Sequence, residues 1–568
     1  MRRVQAMAVL GTVAVAVAAC SGSSGGSGST SASPSASNGQ LNAAHVGGTL
    51  HLVATAANGT LDPQVNYTLG WWQVYQAAYD GLVSFQKANG TAAFTIVPDL
   101  ATSVPTPTDG GKTYTFTLRR GIKFSNGQPV TVNDVVASFQ RLFKVSSPNA
   151  SSWYNVLVGS DACLKTPATC TLAGGVVADP STNTITFHLQ HPQAEFLDQL
   201  AVPFGSILPA STPPKDQGDA PIPTTGAYMF SSYDPNKALV MVRNPYFKQW
   251  SAAAQPAGYP DEINYTFGLT PEAEVTAVEN GQADWLFDAP PADRLGEIGS
   301  KYANQAHVNT LTAIYYLPMN VNIPPFNNEQ ARQAVNFALD RNAAVALYGG
   351  SNLASPSCQI LPPGFPGHVD YCPYTKNPGT TWTAPDLAKA KQLVQQSGTA
   401  GQPVAVVSAN DTVNKSIGEY VQSVLNSIGY KATLKPLSSN IQFTYIQNTK
   451  NKVQISLSQW YQDYPAASDF INVLYGCENF HPNSDASINI SGYCNQSVQA
   501  QIEAALTQSV TDPTGANSAW AKIDQEITDQ AASATLFNPK LIDFVSSRVG
   551  NYEFSKQFYM LIDQLWVK

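Results

Sequence analysis

The densest set of residues able to do chemistry is Ser458-Gln459-Trp460-Tyr461-Gln462-Asp463-Tyr464-Pro465, a carboxylate set among aromatic rings. A carboxylate in a water-poor recess can neutralise an ammonium, and a buried charge needs such a partner. The flat faces of Trp460 and Tyr461 suit a side chain or a cation. The plainer reading makes Asp463 a loop carboxylate that folds Asp463-Tyr464-Pro465 into a turn. Other constellations carry less. His188 and His191 stand three apart, but His188 lies on a strand pattern and Pro192 follows, so no metal site is expected. The Ser/Gly tract is low complexity rather than a nucleophile elbow, and no phosphate-cradling glycine loop is present. Nothing in the spacing of the 39 acidic residues favours a glycosidase pair over solvated surface acids.

A chain of 568 residues is too long for one core. Charged residues make up 12%, the net charge is −8, and Lys and Arg are scattered. That argues against a nucleic-acid surface. Arg2 and Arg3 precede an uncharged run from Val4 to Ala19, and Val17-Ala18-Ala19-Cys20 fits a bacterial lipobox. The run is short for a membrane span, so 1–19 reads as a lipoprotein signal with Cys20 as the lipidated residue. The Ser/Gly-rich stretch within 20–45 is a tether with no means of forming a core. The remaining cysteines, Cys163, Cys170, Cys358, Cys372, Cys477 and Cys494, fall into three sequence-local pairs. Three disulfides in an oxidising compartment fit, although six cysteines allow about 15 connectivities. No pair has C-x-x-C spacing, which disfavours zinc and redox roles.

The elements that would position these groups are legible in part. Asp109-Gly110-Gly111 is a turn signal, and Tyr114, Phe116 and Leu118 then alternate with threonines as a strand. Thr131 and Asp134 form a capping-box pattern ahead of a helix with Val135, Phe139 and Leu142 on one face. Further expectations are a helix from Trp71 to Tyr79, strands at 185–189 and 202–208, and a helix from Asn327 or Asn328 to Tyr348. Strand 403–408, helix 417–428 and strand 431–437 read as a β-α-β unit of a parallel lobe. Residues 535–545 read as a returning strand.

The stretch DGGKTYTFTLRRGIKFSNGQPVTVNDVV from Asp109 resembles, without a gap, the signature segment of the family 5 extracytoplasmic solute-binding proteins. These are the oligopeptide- and dipeptide-binding receptors of ABC importers. Leu61-Asp62-Pro63, Tyr79-Asp80-Gly81-Leu82-Val83 and Pro98-Asp99-Leu100-Ala101 are similar to the family's opening. Thr224-Thr225-Gly226-Ala227-Tyr228, Arg243-Asn244-Pro245-Tyr246-Phe247 and Ala331-Arg332-Gln333-Ala334-Val335 through Arg341 resemble later landmarks, with Ala227 where proline is common.

The resemblance implies an α/β fold of two lobes with two hinge crossovers and a third subdomain inserted in lobe I. The expected division is 46–75, 221–307 and 539–568 for lobe I, 76–220 for the inserted subdomain, and 308–538 for lobe II. It implies that Trp460 and Asp463 line the ligand pocket and that Asp463 pairs with a ligand α-ammonium. Gln459 to Tyr461 would offer backbone to the ligand, and Tyr67, Trp71 and Trp72 would approach from the other side. Arg243 and Arg341 fit structural positions better than a carboxylate-binding role. The implied function is a monomeric, lipid-anchored receptor on the outer face of the cytoplasmic membrane. It would capture a peptide or peptide-like solute and deliver it to an ABC permease and its ATPase, with no cofactor and no catalysis. The alternatives are a non-peptide solute (sugar, siderophore or metal chelate) in the same receptor class, or a secreted hydrolase of glycans or peptides.

Overall fold

The computed structural model describes residues 41–567 apart from 58 and 292. The leader 1–19, Cys20 and most of the tether therefore lie outside the described residues. Two separate groups of sheets carry the molecule. In the first lobe, Trp285–Leu286, Thr49–Ala54 and Glu262–Phe267 run parallel, and Ala238–Arg243 and Tyr228–Asp234 continue the sheet antiparallel. Leu50, Leu52, Ile263 and Tyr265 are buried between this sheet and the aromatic helix Leu69–Ala78.

A third subdomain grows out of this lobe. Its antiparallel sheet pairs Thr113–Thr117 with Thr184–His188, and that strand with Val176–Asp179. Tyr114 and Phe116 are buried while Thr115 and Thr117 are exposed, as their alternation requires. Helix Val132–Lys144 covers the sheet. Its N-terminus is closed by the Asp134 carboxylate, which accepts the Thr131 backbone N–H at 2.8 Å. Val135, Phe139, Leu142 and Phe143 form its buried face.

The second lobe contains the sheet order Ala306–Thr310, Ser533–Phe544, Ala313–Pro318, Ser458–Tyr461. Beside it lies a parallel sheet of Lys431–Leu437, Pro403–Ala409 and Ile455–Ser456. The long strand Ser533–Phe544 links the lobes: Lys540–Phe544 pairs with Ala306–Thr310, and Ser533–Phe537 pairs with Ala313–Pro318. The partner changes where Leu311 donates to the Pro539 carbonyl at 3.0 Å and Asn538 Nδ2 donates to the Ala313 carbonyl at 2.9 Å. Two antiparallel crossovers side by side make a narrow hinge.

Two expected elements come out differently. The helix expected to run unbroken to Tyr348 is two helices, Glu329–Ala338 and Arg341–Tyr348, with Leu339 extended between them. Asp340 caps the second, accepting the N–H groups of Asn342 and Ala343, and the break lets Arg341 turn inward. Its fully buried guanidinium donates to the carbonyls of Ser357 at 2.7 Å and Thr535 at 2.9 Å. Residues 202–208 form no strand; Pro203–Gly205 is a single 3-10 turn. Gly205 packs so closely that a Cβ there would stand 2.2 Å from the Leu200 carbonyl oxygen.

The cysteine pairs Cys163–Cys170, Cys358–Cys372 and Cys477–Cys494 stand at bonding distance, with S–S separations of 2.05, 1.97 and 2.11 Å. Among the described residues no helix is long and apolar enough to cross a membrane.

Candidate functional site

Strand Ser458–Tyr461 is the last strand of its sheet, paired on one side with Ala313–Tyr316 and, among the described residues, with no strand on the other. Gln459 is exposed, whereas Trp460 and Tyr461 are half-buried. Immediately after the strand the chain turns back, and Asp463 enters the space between the lobes. Its backbone is fixed by two hydrogen bonds, one of them from a glutamine that is itself held. Asp463 N–H donates to Asp469 Oδ2 at 2.9 Å, its carbonyl accepts from Gln557 Nε2 at 3.0 Å, and Gln557 Oε1 accepts from Gln462 Nε2 at 2.7 Å.

The Asp463 side chain meets Tyr67, whose hydroxyl donates to Asp463 Oδ1 across the lobes. Tyr67 is walled by aromatic rings, with Trp72 stacked at 5.9 Å and Phe204 edge-on at 5.5 Å. Trp153 stands edge-on at 6.2 Å. Trp153 also meets Tyr464 edge-on at 5.7 Å, so the residue after Asp463 is buried in the core of the opposite lobe. Yet Tyr67 keeps 45% of its surface exposed. Tyr67 thus borders solvent at the seam between the lobes, beside Asp463.

Several buried carboxyls lie near this seam. Burial pushes the Asp463 carboxyl up to about 7, and the Tyr67 hydrogen bond only partly opposes it. Burial, and then the Asp463 and Glu195 charges, raise Asp469 well above the carboxylate range. Glu195, raised by burial, accepts a hydrogen bond from Ser468 Oγ across the lobes. Asp198 is pushed up to about 8 by burial and by the Glu195 charge. No lysine, arginine or histidine forms an ion pair with these four carboxyls among the described residues. Burial thus favours the neutral form of these four carboxyls, and a cation brought among them would favour ionisation.

Of the residues singled out from sequence, Tyr67 and Asp463 meet across the lobes; on the edge strand Trp460 packs against the core that holds Phe470 and Trp520, Tyr461 packs against the core that holds Tyr315 on the opposite face, and Gln459 is exposed. Trp72 lies behind Tyr67 at 4% exposure. Trp71 does not reach the seam. It is a core residue at 1% exposure, edge-on to Tyr233 and Phe267, because the helix Leu69–Ala78 turns that face onto the lobe I sheet. Arg243 pairs with Asp261 at 2.9 Å, and Arg341 is spent on backbone carbonyls. Sequence reasoning missed Glu195, Asp198, Ser468, Asp469, Trp153 and Phe204. Only Asp469 had a local signal: a second acid six positions after Asp463, across a short Pro-Ala-Ala turn.

Residues 95–482 match the family model described as "Bacterial extracellular solute-binding proteins, family 5 Middle". The chain is 26% identical over 458 residues to the periplasmic oligopeptide-binding protein OppA of Salmonella typhimurium, covering 78% of this chain and 79% of that one. It is 26% identical over 469 residues to the glutathione-binding protein GsiB of Salmonella choleraesuis, covering 80% and 82%. Among solved structures, clavulanic acid biosynthesis oligopeptide binding protein 2 superposes with a TM-score of 0.82 at 22% identity, over 92% of this chain and 96% of that one. The two lobes, the paired crossovers, the inserted subdomain and the matched span together place this chain in family 5 of the bacterial extracellular solute-binding proteins.

Proposed function

We propose that the protein captures a peptide between its lobes, holding the ligand's α-ammonium on Asp463. It then hands the peptide unchanged to an ABC permease driven by its ATPase. The observation that carries this reading is Asp463 itself: a carboxyl without a cation, at the end of a strand whose outer edge is free. An extended peptide can add to that edge through main-chain hydrogen bonds, while Trp460 and Tyr461 flank its side chains. Relatives whose names specify oligopeptides and glutathione support the ligand class.

In this reading the protein is a monomeric receptor without catalysis, exported through the leader 1–19. It is held on the outer face of the cytoplasmic membrane by acyl chains on Cys20. Closure stabilised by contacts from both lobes accounts for capture, and differential affinity of the ligand for the closed form supplies the drive.

Titration calorimetry with tripeptides tests the reading. A free amino terminus should bind, and its N-acetylated counterpart should bind on the order of 30-fold more weakly or worse, as for loss of one partner of a buried charge pair. Asp463→Asn should weaken the free peptide by a similar factor, and the recovered peptide should be chemically intact by mass spectrometry. Equal binding of free and acetylated peptides would remove the anchor role. Cleavage of the peptide would instead support a hydrolase.

A further inference from the structure

We propose that the first lobe binds a single structural water molecule in a buried polar cavity behind the seam, hydrogen-bonded to the side-chain amide of Gln76. The inference concerns that lobe and its inserted subdomain alone, and it stands whether or not the guest between the lobes is a peptide.

The cavity lies where three stretches of chain meet. Gln76 comes from helix Leu69–Ala78, Val202 and Ser206 from the turn that replaces the expected strand, and Phe558 from the C-terminal tail. The space that the centre of a water molecule can occupy there is about 20 Å³. One water needs about 10 to 15 Å³ on that measure, so the cavity takes one rather than several.

Gln76 is the observation that points to an occupant. The residue is 6% exposed, and neither Nε2 nor Oε1 has a hydrogen-bond partner among the described residues. Its main chain, by contrast, is well served: the carbonyl accepts from Lys87 Nζ at 2.5 Å and from Gln255 Nε2 at 3.2 Å. A primary amide left unpaired in the interior carries the whole desolvation cost of a donor and an acceptor. Apolar cavities stay dry, but this one is polar, because Asp80, Asp99, Ser84 and Ser206 line it together with Gln76. A water there finds both a donor and an acceptor in the amide and further acceptors in the carboxyls and hydroxyls. That meets the roughly two to four bonds that hold an internal water.

The place matters for the seam. Gln76 stands one helical turn after Trp72, whose ring stacks on Tyr67, and Phe558 follows Gln557, whose amide holds the Asp463 carbonyl. Filling the space between the helix and the tail supports the positions from which Tyr67 and Gln557 reach Asp463. Gln76 is thus a positioning residue.

A crystal structure of the unsubstituted protein, at a resolution that orders solvent, tests the inference. It should show one peak in the cavity with contacts of about 2.7 to 3.2 Å to the Gln76 amide. An empty cavity, or an amide that bonds to protein groups instead, overturns the inference. A peak with contacts of about 2.3 to 2.6 Å marks a cation and overturns it as well. Gln76→Met keeps the length of the side chain and removes both polar atoms. If water pairs the amide, the variant loses those bonds, and its unfolding midpoint in scanning calorimetry should fall by on the order of 1 to 2 °C. A midpoint that rises or stays would mean that the amide is orphaned and its desolvation cost relieved, which overturns the inference. If the variant does not fold, the crystal structure of the unsubstituted protein decides.

Discussion

At the scale of single residues, Asp463 sets a pH dependence for binding. Its carboxyl titrates at about 7 because burial disfavours the charge more than the Tyr67 hydroxyl favours it. A bound ammonium requires the ionised form. As pH falls through about 7 the proton competes with the ligand, and affinity should drop by about tenfold per unit. On the alkaline side a peptide α-ammonium loses its proton near pH 8 or so. Affinity should therefore peak between about 7 and 8, and calorimetry across pH 5 to 9 reads the profile. Tyr67→Phe removes the one interaction that lowers the Asp463 value, so the acidic limb should move to higher pH. If the limb stays where it was, a different group titrates.

At the scale of elements, a second buried acid pair ties the inserted subdomain to the lobe I sheet. Asp80, just after helix Leu69–Ala78, accepts from Thr225 Oγ1 at 2.6 Å and from Gln255 Nε2 at 2.7 Å. Asp99, just after strand Ile96–Pro98, accepts from Trp250 Nε1 at 2.8 Å. Burial pushes Asp80 up to about 6, and burial together with the Asp80 charge raises Asp99 further. Both folded values lie above the unfolded value near 4, so the native state binds protons that the unfolded chain releases. The stabilisation is complete below about pH 4 and is lost as pH rises through about 6 and beyond. Asp99→Asn mimics the protonated acid. It should raise the unfolding midpoint at pH 8 more than at pH 5, which differential scanning calorimetry at the two values would show; a uniform shift would place the linkage elsewhere.

Asp80 and Asp99 also mark what could be read in advance. Their motifs are short, local runs, and so are the capping box at Thr131 and the period-two strand at 113–117; each element follows from its own residues. The break at Leu339 does not, because it exists to bury Arg341 against carbonyls contributed by Ser357 and Thr535. The acid cluster is less local again: Glu195 and Ser468, 273 positions apart, meet across the two lobes.

At the scale of the whole molecule, the lobes have separate cores joined by two crossing strands, and what holds them shut is a small set of interlobe contacts. The polar ones beside Asp463 include Tyr67 to Asp463, Ser468 to Glu195, and Gln557 to Asp463 and Gln462; the aromatic ones include Trp153 to Tyr464 and Phe94 to Phe365 at 5.9 Å. Hydrogen bonds to carboxyl groups in such places are worth on the order of 1 to 3 kcal/mol each. Removing the first two, in Tyr67→Phe with Ser468→Ala, should shift the closed-to-open ratio by about 30-fold at the low end of that range and on the order of ten-thousandfold at the high end. Small-angle scattering should then show a larger radius of gyration for the unliganded double variant than for the unsubstituted protein. Saturating peptide should restore the smaller radius, because the guest's ammonium and main chain rebuild contacts to both lobes. An unliganded radius that does not grow would mean that the Gln557 hydrogen bonds and the aromatic contacts keep the halves together. Capture would then begin from a shut receptor that must first open, and association would be slow, independent of peptide concentration at saturation, and limited by the parting of Tyr464 from Trp153.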